Sequence, residues 1–375
     1  MNLATDPNLE NVRYHLALAL APKVGPSVFK SILAYSGSPK GFFQLTKGKA
    51  SKIPKLGEKL LDLLRQEEKL LRNADEVLEQ CLRKGYQVQV STSPDFPLRL
   101  KAQEDGPVIL FTQGKGDLNF DRGVGIVGTR NATTYGKTIT RKIIEDLLPY
   151  QPVIISGLAY GIDIEAHRAA LQVGLTTIAV MGSPLNQIYP AAHKKTAEQL
   201  QETGILMTEY APGSSMVPGN FPARNRIIAG LSDALIVVEA AEKGGALITA
   251  EIAFSYDKEV FAVPGNLQST FSEGCNQLIK KMKASIYTGP TDIADALFWT
   301  KPGEEKITKP SLDLTGRDEE EKAILLLYQQ KAETEIDLIS YAIDIPLGIL
   351  SSKLLNLEFE GIVKSLPGKK FKLLV

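Results

Sequence analysis

The sequence has few of the residues that build disulfide frameworks or metal sites. Its 375 residues include two cysteines, Cys81 and Cys275, and three histidines. Two cysteines so far apart do not make a disulfide framework, and three histidines without a second ligand pair at suitable spacing do not favour a metal. We therefore expect no metal and no other cofactor. The low cysteine content also fits a reducing, cytoplasmic compartment.

A long apolar run, a net charge and a nucleoside-triphosphate motif are also absent. No apolar stretch approaches the roughly 20 residues that span a membrane, and the run HLALALA follows two acidic residues, unlike a signal peptide. Basic and acidic residues are equal in number, 43 of each, which argues against a histone-like DNA coat but does not exclude a local basic patch. The motif G-x-x-x-x-G-K-[ST] is missing, so the sequence shows no machinery for ATP hydrolysis.

One segment is nevertheless strongly basic, because eight lysines and one acid, Glu58, lie between Lys23 and Lys59. It contains a repeated motif, PKVG at Pro22–Gly25 and PKLG at Pro54–Gly57, each followed by a helical apolar pattern. A turn of this kind opens a helix and exposes backbone N–H groups to a phosphate, as in helix-hairpin-helix units. The alternative is a helical domain whose lysines are only solvated. If these turns bind the phosphates of a nucleic acid, they form a candidate DNA-binding site, secondary to the one predicted below at the sheet. Its residues are Lys23, Gly25, Lys55 and Gly57.

From about Gly106, apolar β-branched runs alternate with helical patterns. The predicted strands are VILFT, VGIVG, PVIIS, TTIAVMG, GILMTE, ALIVVE and EVFAVPG. Near-continuous apolar strands are buried on both faces, so we predict an α/β fold with a doubly wound, mostly parallel, Rossmann-like sheet. A literal G-x-G-x-x-G at Gly123, Gly125 and Gly128 lies mostly within a predicted strand and lacks the acidic partner of a dinucleotide site.

The sequence predicts three domains and a linker. Residues 1–85 form an N-terminal all-α domain, and residues 86–298 form the Rossmann-like domain. Residues 299–316 are polar and rich in proline and glycine, as a linker is. Residues 317–375 give three helices and two alternating strands around a Pro-Gly turn, the pattern of a winged helix.

Most of the predicted strands end in glycine or small polar residues. The segments that follow them are GTRNATTYG, SGLAYGIDIEAH, GSPLNQIYP, EYAPGS, EAAEKGGALIT and PGNLQSTFSEGCN. Ligands of open α/β sheets bind outside the carboxyl ends of the strands. Oriented backbone N–H groups and helix N-termini supply positive potential there. The sequence therefore predicts an anion site along this edge of the sheet.

Cationic side chains accompany this edge. Arg224 and Arg226 fall within a turn or so of a predicted helix N-terminus, where the helix dipole disfavours cations. We therefore expect a negative partner, either a carboxylate such as Glu239 or a bound phosphate. Arg130 and Lys243 each follow a strand and can join the same site.

Three aromatic residues offer faces on which bases can stack. They are Tyr160, Tyr189 and Phe221. Cations mixed with aromatic rings are typical of a surface that binds single-stranded nucleic acid. The alternative places these rings in the core, above all Tyr189 beside Pro190.

No catalytic arrangement stands out from the sequence. Asp163 and His167 share one helix face at i and i+4. We interpret them as structural, with Asp163 near a helix N-terminus orienting the imidazole of His167. Ser156 and Ser183 have no evident paired histidine. The prediction is a binding protein and not an enzyme.

The chain resembles the DNA-processing protein A (DprA/Smf) family. The resemblance covers Gly123–Leu278 through the segments GTR, SGLAYGIDIEAHRAAL, TIAVMGSPLNQIYPAAH, FPARNRIIAGLSDALIVVEA, ALITAEIA and VFAVPG, in the family's order. It implies an extended Rossmann-like domain, a sterile-alpha-motif-like or helix-hairpin-helix-like domain before it, and a winged helix after it. It also implies a homodimer that binds and protects incoming single-stranded DNA and helps load the RecA recombinase during natural transformation.

In the family, the Gly-Ser-Arg loop and the Phe-Pro-x-Arg-Asn-Arg segment lie at the DNA pocket. The residues expected to bind DNA here are Gly128, Thr129, Arg130, Ser156, Gly157, Phe221, Arg224, Asn225, Arg226, Lys243, Gly244, Gly245 and Asn276. Structural roles are expected for Asp163, His167 and Glu239. Gly244-Gly245-Ala246 departs from the family's Ser-Gly-Ser and loses two hydroxyl groups, and Cys275 stands where the family has threonine.

The charges of the predicted winged helix do not favour DNA. Residues 317–375 carry eight basic and ten acidic side chains. The presumed recognition helix, Pro346–Gly361, has Glu358 and Glu360 against Lys353, whereas a helix entering the major groove carries more cations. The lysines of the wing are Lys364, Lys369, Lys370 and Lys372. We expect this domain to contact protein.

Two other functions stay open at this point. Related sheets act on nucleoside monophosphates, and Asp163, His167 and Glu239 would then serve as acid and base. The third possibility is a scaffold that binds a protein partner and in which the predicted anion site at the sheet edge has no function. The basic segment between Lys23 and Lys59 disfavours it.

Overall fold

The computed structural model describes residues 7–301, 314, 317–330, 333–366 and 370–373. The chain forms two compact units, Met1–Trp299 and Thr300–Val375. No single helix of the described residues is long and apolar enough to cross a membrane, although the sharply bent pair Ile336–Ile343 and Leu347–Phe359 meets that criterion by length and composition.

The first unit begins with six helices. They are α1 (Pro7–Ala19), α2 (Pro26–Ser36), α3 (Pro39–Gln44), α4 (Lys47–Ala50), α5 (Glu58–Leu64) and α6 (Glu67–Lys84). Leu70, Leu78 and Cys81 recur on one face of α6 and are buried. Buried residues of these helices share one core with Leu206 in the sheet and Leu200 in a helix beside it, so the helical segment packs directly on the α/β part.

The two PK-x-G motifs adopt the same turn. Lys23 and Lys55 both have left-handed backbones, with φ of 68° and 66°. Gly25 and Gly57 are then extended and cap the N-termini of α2 and α5. The sequence repeat is therefore a structural repeat.

Nine strands form one sheet. They are β1 (Gln87–Val90), β2 (Ile109–Gly114), β3 (Gly123–Val127), β4 (Val153–Ser156), β5 (Thr177–Val180), β6 (Ile205–Thr208), β7 (Ala234–Val237), β8 (Glu259–Ala262) and β9 (Ser285–Ile286). Their order is β1-β2-β6-β5-β4-β3-β7-β8-β9. β1 and β2, and β2 and β6, pair antiparallel, and all the other neighbours are parallel. The predicted α/β fold with a mostly parallel sheet is confirmed, and all seven predicted strands are present.

Every residue of β3 to β7 is buried, which explains why these strands are apolar without alternation. The helices that accompany the sheet are α7 (Leu98–Lys101), α8 (Thr134–Leu147), α9 (Ile162–Val173), α10 (Lys194–Thr203), α11 (Asn220–Leu231), α12 (Gly245–Ser255), α13 (Glu273–Lys280) and α14 (Pro290–Leu297). A short 3-10 turn at Ala191–His193 precedes α10.

The strand order reverses beside β3. The chain leaves β3 towards β4 on one side, whereas β7 and β8 lie on the other side. Connections that diverge in this way leave a crevice above the carboxyl ends of the two central strands. The fold thus places a cleft between the loops that follow β3 and β7.

The described residues of the second unit form three helices and a three-stranded antiparallel sheet. The elements are α15 (Glu319–Gln330), β10 (Glu333–Glu335), α16 (Ile336–Ile343), α17 (Leu347–Phe359), β11 (Val363–Leu366) and β12 (Lys370–Leu373). The sheet order is β10-β12-β11, and residues such as Leu350, Leu354 and Leu357 of α17 form its core. Lys369 and most of the predicted linker lie outside the described residues.

Candidate nucleic-acid interface

A cleft of about 490 Å³ lies at the point where the strand order reverses. The loop after β3, the loop after β7 and the first turns of α11 and α12 line it. Nine residues predicted to bind DNA meet in this lining: Gly128, Thr129, Arg130, Phe221, Arg224, Asn225, Lys243, Gly244 and Gly245. Four others do not line it: Ser156, Gly157, Arg226 and Asn276. Asn131 and Phe271 line it without having been singled out in the sequence.

Arg130 and Lys243 are the exposed cations of the cleft. Neither has a carboxylate within 4.0 Å among the residues that the structure describes. Both guanidinium and ammonium groups are therefore available to an anionic ligand.

The loop that carries Arg130 is fixed by its neighbours. Thr129 donates its N–H to the backbone oxygen of Glu239 at 2.7 Å and accepts from the N–H of Ile162 at 3.2 Å. The N–H of Asn131 donates to the hydroxyl of Thr129 at 3.2 Å. The amides of Thr129 and Asn131 are thus used inside the fold and are not offered to a ligand.

The first turn of α12 differs, because it has no side-chain cap. Gly244 is the N-cap residue and makes no capping hydrogen bond through a side chain, and Gly244, Gly245 and Ala246 all line the cleft. An uncapped helix N-terminus attracts anions through its N–H groups. Gly244 and Ala246, which stand where the family has serines, therefore leave the helix end itself facing the cleft.

The side chain of Arg224 is buried beneath the cleft and hydrogen-bonds the backbone there. It is 4% exposed, and its Nη1 donates to the backbone oxygens of Gly157, at 2.6 Å, and Val180. Burial lowers the pKa of Arg224, and the nearby carboxylate of Asp163 opposes that change. A Cβ atom on Gly157 would lie 2.1 Å from Nη1 of this arginine, so the glycine is required for the contact.

Arg226 does not face the cleft, which corrects its assignment as a DNA-binding residue. Its Nη2 donates to Oε2 of Glu209 at 2.5 Å, and the two side chains are 15% and 16% exposed. Burial raises the pKa of Glu209, and the charge of Arg226 counteracts that rise. The negative partner expected from the sequence is thus Glu209, and not Glu239.

Glu239 instead holds the start of α8. Its Oε2 accepts from the N–H of Thr133 at 3.0 Å, and its Oε1 accepts from the hydroxyl of that residue at 2.5 Å. Thr133 is the N-cap of α8 and accepts from the N–H of Gly136. A carboxylate at a helix N-terminus is stabilising, so this arrangement supports the structural role proposed for Glu239.

The expected contact between Asp163 and His167 is not the one that the structure shows. Nδ1 of His167 hydrogen-bonds Thr177 at 2.8 Å, and its Nε2 is buried without a partner among the described residues. Burial, followed by the charge of Arg224, lowers the pKa of His167 to about 3, so the ring is neutral. Asp163 lies at the floor of the cleft, and burial raises its pKa against the charge of Arg224.

Ser156 and Asn276 also serve the fold. The buried hydroxyl of Ser156 donates to the backbone oxygen of Ile126 at 2.6 Å. The amide of Asn276 donates to the oxygen of Gly265 at 3.0 Å and accepts from its N–H at 3.2 Å. Neither side chain lines the cleft.

Aromatic rings flank the cleft. Tyr189 and Phe221 pack with centroids 5.3 Å apart, and Tyr189 is 47% exposed rather than in the core. Tyr160 lies outside the lining of the cleft, in a neighbouring groove that Arg130 also lines; it is 49% exposed and packs against the ring of His193 at 4.8 Å. Flat faces thus lie next to the cations, as stacking of bases requires.

The basic N-terminal segment has a groove of its own. Lys23 and Gly57 line it together with Lys59, whereas the Nζ of Lys55 lies 2.5 Å from the hydroxyl of Ser27. Two of the four residues of the predicted secondary site, Lys23 and Gly57, therefore meet.

The cation of α17 in the second unit is neutralised locally. Lys353 pairs with Asp318 and, at 3.2 Å, with Glu320. Glu358 accepts from the N–H of Ser365 at 2.8 Å, and Glu360 accepts from Arg317 at 2.5 Å. This helix therefore presents no cationic face.

Comparisons with known proteins agree on one family. A family model described as DNA recombination-mediator protein A matches residues 87–298. Protein Smf of Synechocystis is 32% identical over 394 residues, which cover 96% of this chain and 98% of that protein. A solved structure of DNA processing protein A from Streptococcus pneumoniae has a TM-score of 0.62 at 31% identity and covers 76% of this chain and 97% of its own.

A second solved structure, of DNA processing protein A from Helicobacter pylori, has a TM-score of 0.52 at 30% identity and covers 57% of this chain and 95% of its own. The family model alone matches more than half of the chain. This protein therefore belongs to the DNA-processing protein A (DprA/Smf) family.

Proposed function

We propose that this protein binds single-stranded DNA in the cleft above β3 and β7 and acts as a recombination mediator without a catalytic step. The observation that carries this proposal is that Arg130 and Lys243, which have no carboxylate partner among the described residues, line one cleft that is flanked by aromatic rings. The Helicobacter pylori relative is described by its single-stranded DNA binding mode, which supports the same ligand here.

Stacking favours a single strand over a duplex. The half-exposed ring of Tyr189, which packs on Phe221 of the cleft, can contact only bases that are unpaired and turned outwards. Each stacked base contributes about 1–3 kcal/mol without regard to sequence. A duplex offers the same phosphates but hides these faces.

The proposed role extends to the fate of the bound strand, the oligomeric state and the place of action. We propose that the protein protects incoming strands and helps load RecA during natural transformation, that it is a homodimer, and that it acts in the cytoplasm. We further propose that residues 317–375 form a winged helix that contacts protein, because its described cation on α17, Lys353, is already paired with acids. Residues 1–85 would form a helix-hairpin-helix-like or sterile-alpha-motif-like domain, which the repeated turn at Lys23 and Lys55 supports.

The test is a titration of labelled oligo-dT and an equal-length duplex at two salt concentrations. We expect tighter binding of oligo-dT, and affinity that falls with salt because bound cations displace counterions. Arg130→Ala with Lys243→Ala should weaken oligo-dT binding by about tenfold or more and reduce the salt slope by about 1.4, two contacts at ~0.7 each.

The matched control is Lys69→Ala with Lys84→Ala, which removes two exposed lysines of α6, away from the cleft. It should leave affinity and slope unchanged. Equal binding by the Arg130 and Lys243 double variant and the parent protein would show that this cleft is not the DNA site.

One observation favours a second candidate. Asp163 lies at the cleft floor with a raised pKa, as a general acid would. Nucleoside monophosphates incubated with the protein would then release a base or phosphate, and Asp163→Asn would abolish the release. We favour binding, because the charge of Arg224 acts on Asp163, and Arg224 itself holds the ends of two strands.

A further inference from the structure

A second groove continues from the cleft across the loop that follows β3. The two share Arg130 and Asn131 in their linings. The second groove has a volume of about 820 Å³ and reaches the 3-10 turn before α10. A third groove, of about 690 Å³ between α9 and α10, shares Arg168 and Ala192 with the second. The three therefore form one path that starts at the carboxyl-terminal edge of the sheet and continues between α9 and α10.

Exposed cations follow this path beyond Arg130. Lys137 and Arg168 line the second groove, and Lys195 lines the third. Within the described ranges of the chain, none of the three lies within 4.0 Å of a carboxylate. Glu165 is the carboxylate in the lining of the second groove, and Arg141 forms an ion pair with it. The second groove is therefore cationic.

An aromatic ring is held in the second groove. Tyr160 packs edge-on against His193, with an interplanar angle of 70°. The Nδ1–H of His193 donates to the backbone oxygen of Leu158 at 2.7 Å, which fixes the imidazole. Burial lowers the pKa of His193, so a neutral ring supports the tyrosine. A half-exposed ring that is fixed in place is a platform for a base.

We propose that the single strand does not end in the cleft but crosses the loop at Arg130 and continues through the second groove into the third, with phosphates on Lys137 and Lys195 and a base on Tyr160. This inference rests on the proposed function and extends it. It assigns two consecutive subsites, each with its own cations and aromatic ring, on either side of Arg130. The length of strand that one protein holds is then set by both subsites.

The test compares two lengths of labelled oligo-dT, about 4 and about 16 nucleotides, which span the range of known single-strand site sizes. The variant is Lys137→Glu with Lys195→Glu. Both lysines lie in the first turns of their helices, α8 and α10, where an acidic residue is favourable, so the variant should fold normally. Its thermal unfolding checks that point.

We expect the variant to bind the long oligonucleotide about tenfold more weakly than the parent protein, and with a salt slope smaller by about 1.4. Its binding of the short oligonucleotide should change little, since the cleft alone holds it. Tyr160→Ala should likewise weaken only the long oligonucleotide, and Tyr160→Phe should not. The charge control is Lys69→Glu with Lys84→Glu, with unchanged binding of both lengths.

Three results would overturn the second subsite while leaving the cleft in place. They are equal binding of the long oligonucleotide by variant and parent, equal weakening of both lengths, and equal weakening by the charge control. If the parent protein binds neither length, the proposed function itself fails, and the second subsite fails with it.

Discussion

Arg226 pairs with Glu209, although it lies only two residues from Arg224, which lines the cleft. Successive residues of an α-helix are about 100° apart, so side chains at i and i+2 point in nearly opposite directions. Both arginines belong to α11, and they cannot both face the cleft. The helix therefore divides an apparent cationic cluster into a residue at the cleft and a residue that holds the fold.

The first prediction concerns the stability of this pair. Arg226→Ala should lower the free energy of unfolding by about 3–5 kcal/mol, because the buried carboxylate of Glu209 loses its partner. The pKa of Glu209 is already raised by burial, and without Arg226 it should rise further. A raised pKa means that the folded state retains the proton, so the variant should lose stability as the pH rises from about 4.5 through the folded pKa.

Urea unfolding between about pH 4 and pH 8 measures this loss. Arg226→Ala with Glu209→Gln is the control, since it removes the titrating group and should remove the additional pH dependence. An Arg226→Ala protein as stable as the parent at neutral pH would contradict the assignment.

The apolar runs were sufficient to predict the sheet, because strands buried on both faces leave no polar alternation. Val124, Ile154 and Ile236 illustrate this, since each lies in a predicted run and is fully buried in neighbouring strands. β1 and β9 were not predicted. β1 alternates polar residues, QVQV, at the sheet edge, and β9 has two exposed residues.

The cleft was predictable in part. Loops at the carboxyl ends of parallel strands meet by topology, so Arg130 and Lys243 could be placed together from the sequence. The partners of the buried polar groups could not be predicted from the sequence. Glu209, Thr133 and Thr177 lie on other elements than the residues they bind, and only the fold brings them together. A helical wheel over α11 would have separated Arg226 from Arg224 without a structure.

A second prediction follows from a buried histidine between the helices and the sheet. The Nε2–H of His15 donates to the backbone oxygen of Val108 at 2.7 Å, and burial lowers its pKa to about 4. The unfolded chain binds a proton near pH 6.5, so the folded state binds fewer protons below that value. Stability is complete above about pH 6.5 and falls as the pH drops towards 4, by up to ~1.4 kcal/mol per pH unit for this group.

His15→Gln keeps an N–H donor but does not titrate. Its free energy of unfolding should therefore decline with a slope shallower by about that amount between pH 6 and pH 4. Denaturant midpoints across this range measure the difference. Identical slopes in parent and variant would show that His15 is not held neutral.

A third prediction concerns the cap that Glu239 provides for α8. A Cβ atom on Gly136 would lie 2.1 Å from Oε2 of Glu239, so alanine must displace the carboxylate from Thr133. Gly136→Ala should cost about 1–3 kcal/mol, although alanine is the better helix former. Gly245→Ala is the matched control, because it also lies in a first helical turn but has nothing within 4 Å. It should be neutral or stabilising by up to ~1 kcal/mol, and thermal unfolding that ranks the two variants the other way would refute the cap.

The last prediction separates charge from backbone strain in the repeated turn. Lys23 and Lys55 have positive φ values, a conformation that costs a residue other than glycine about 1–2 kcal/mol. Lys23→Gly with Lys55→Gly should therefore leave the protein as stable or more stable, while it removes two cations of the predicted secondary DNA-binding site. Lys59→Gly removes a cation of the same groove but lies in α5, where glycine costs about 1 kcal/mol, so it should destabilise. If the repeat binds the DNA backbone, the double variant should bind duplex with a salt slope smaller by about 1.8. Each lost phosphate contact removes ~0.9 from the slope, because binding then displaces fewer counterions. An unchanged slope in a stably folded double variant would mean that these lysines are only solvated.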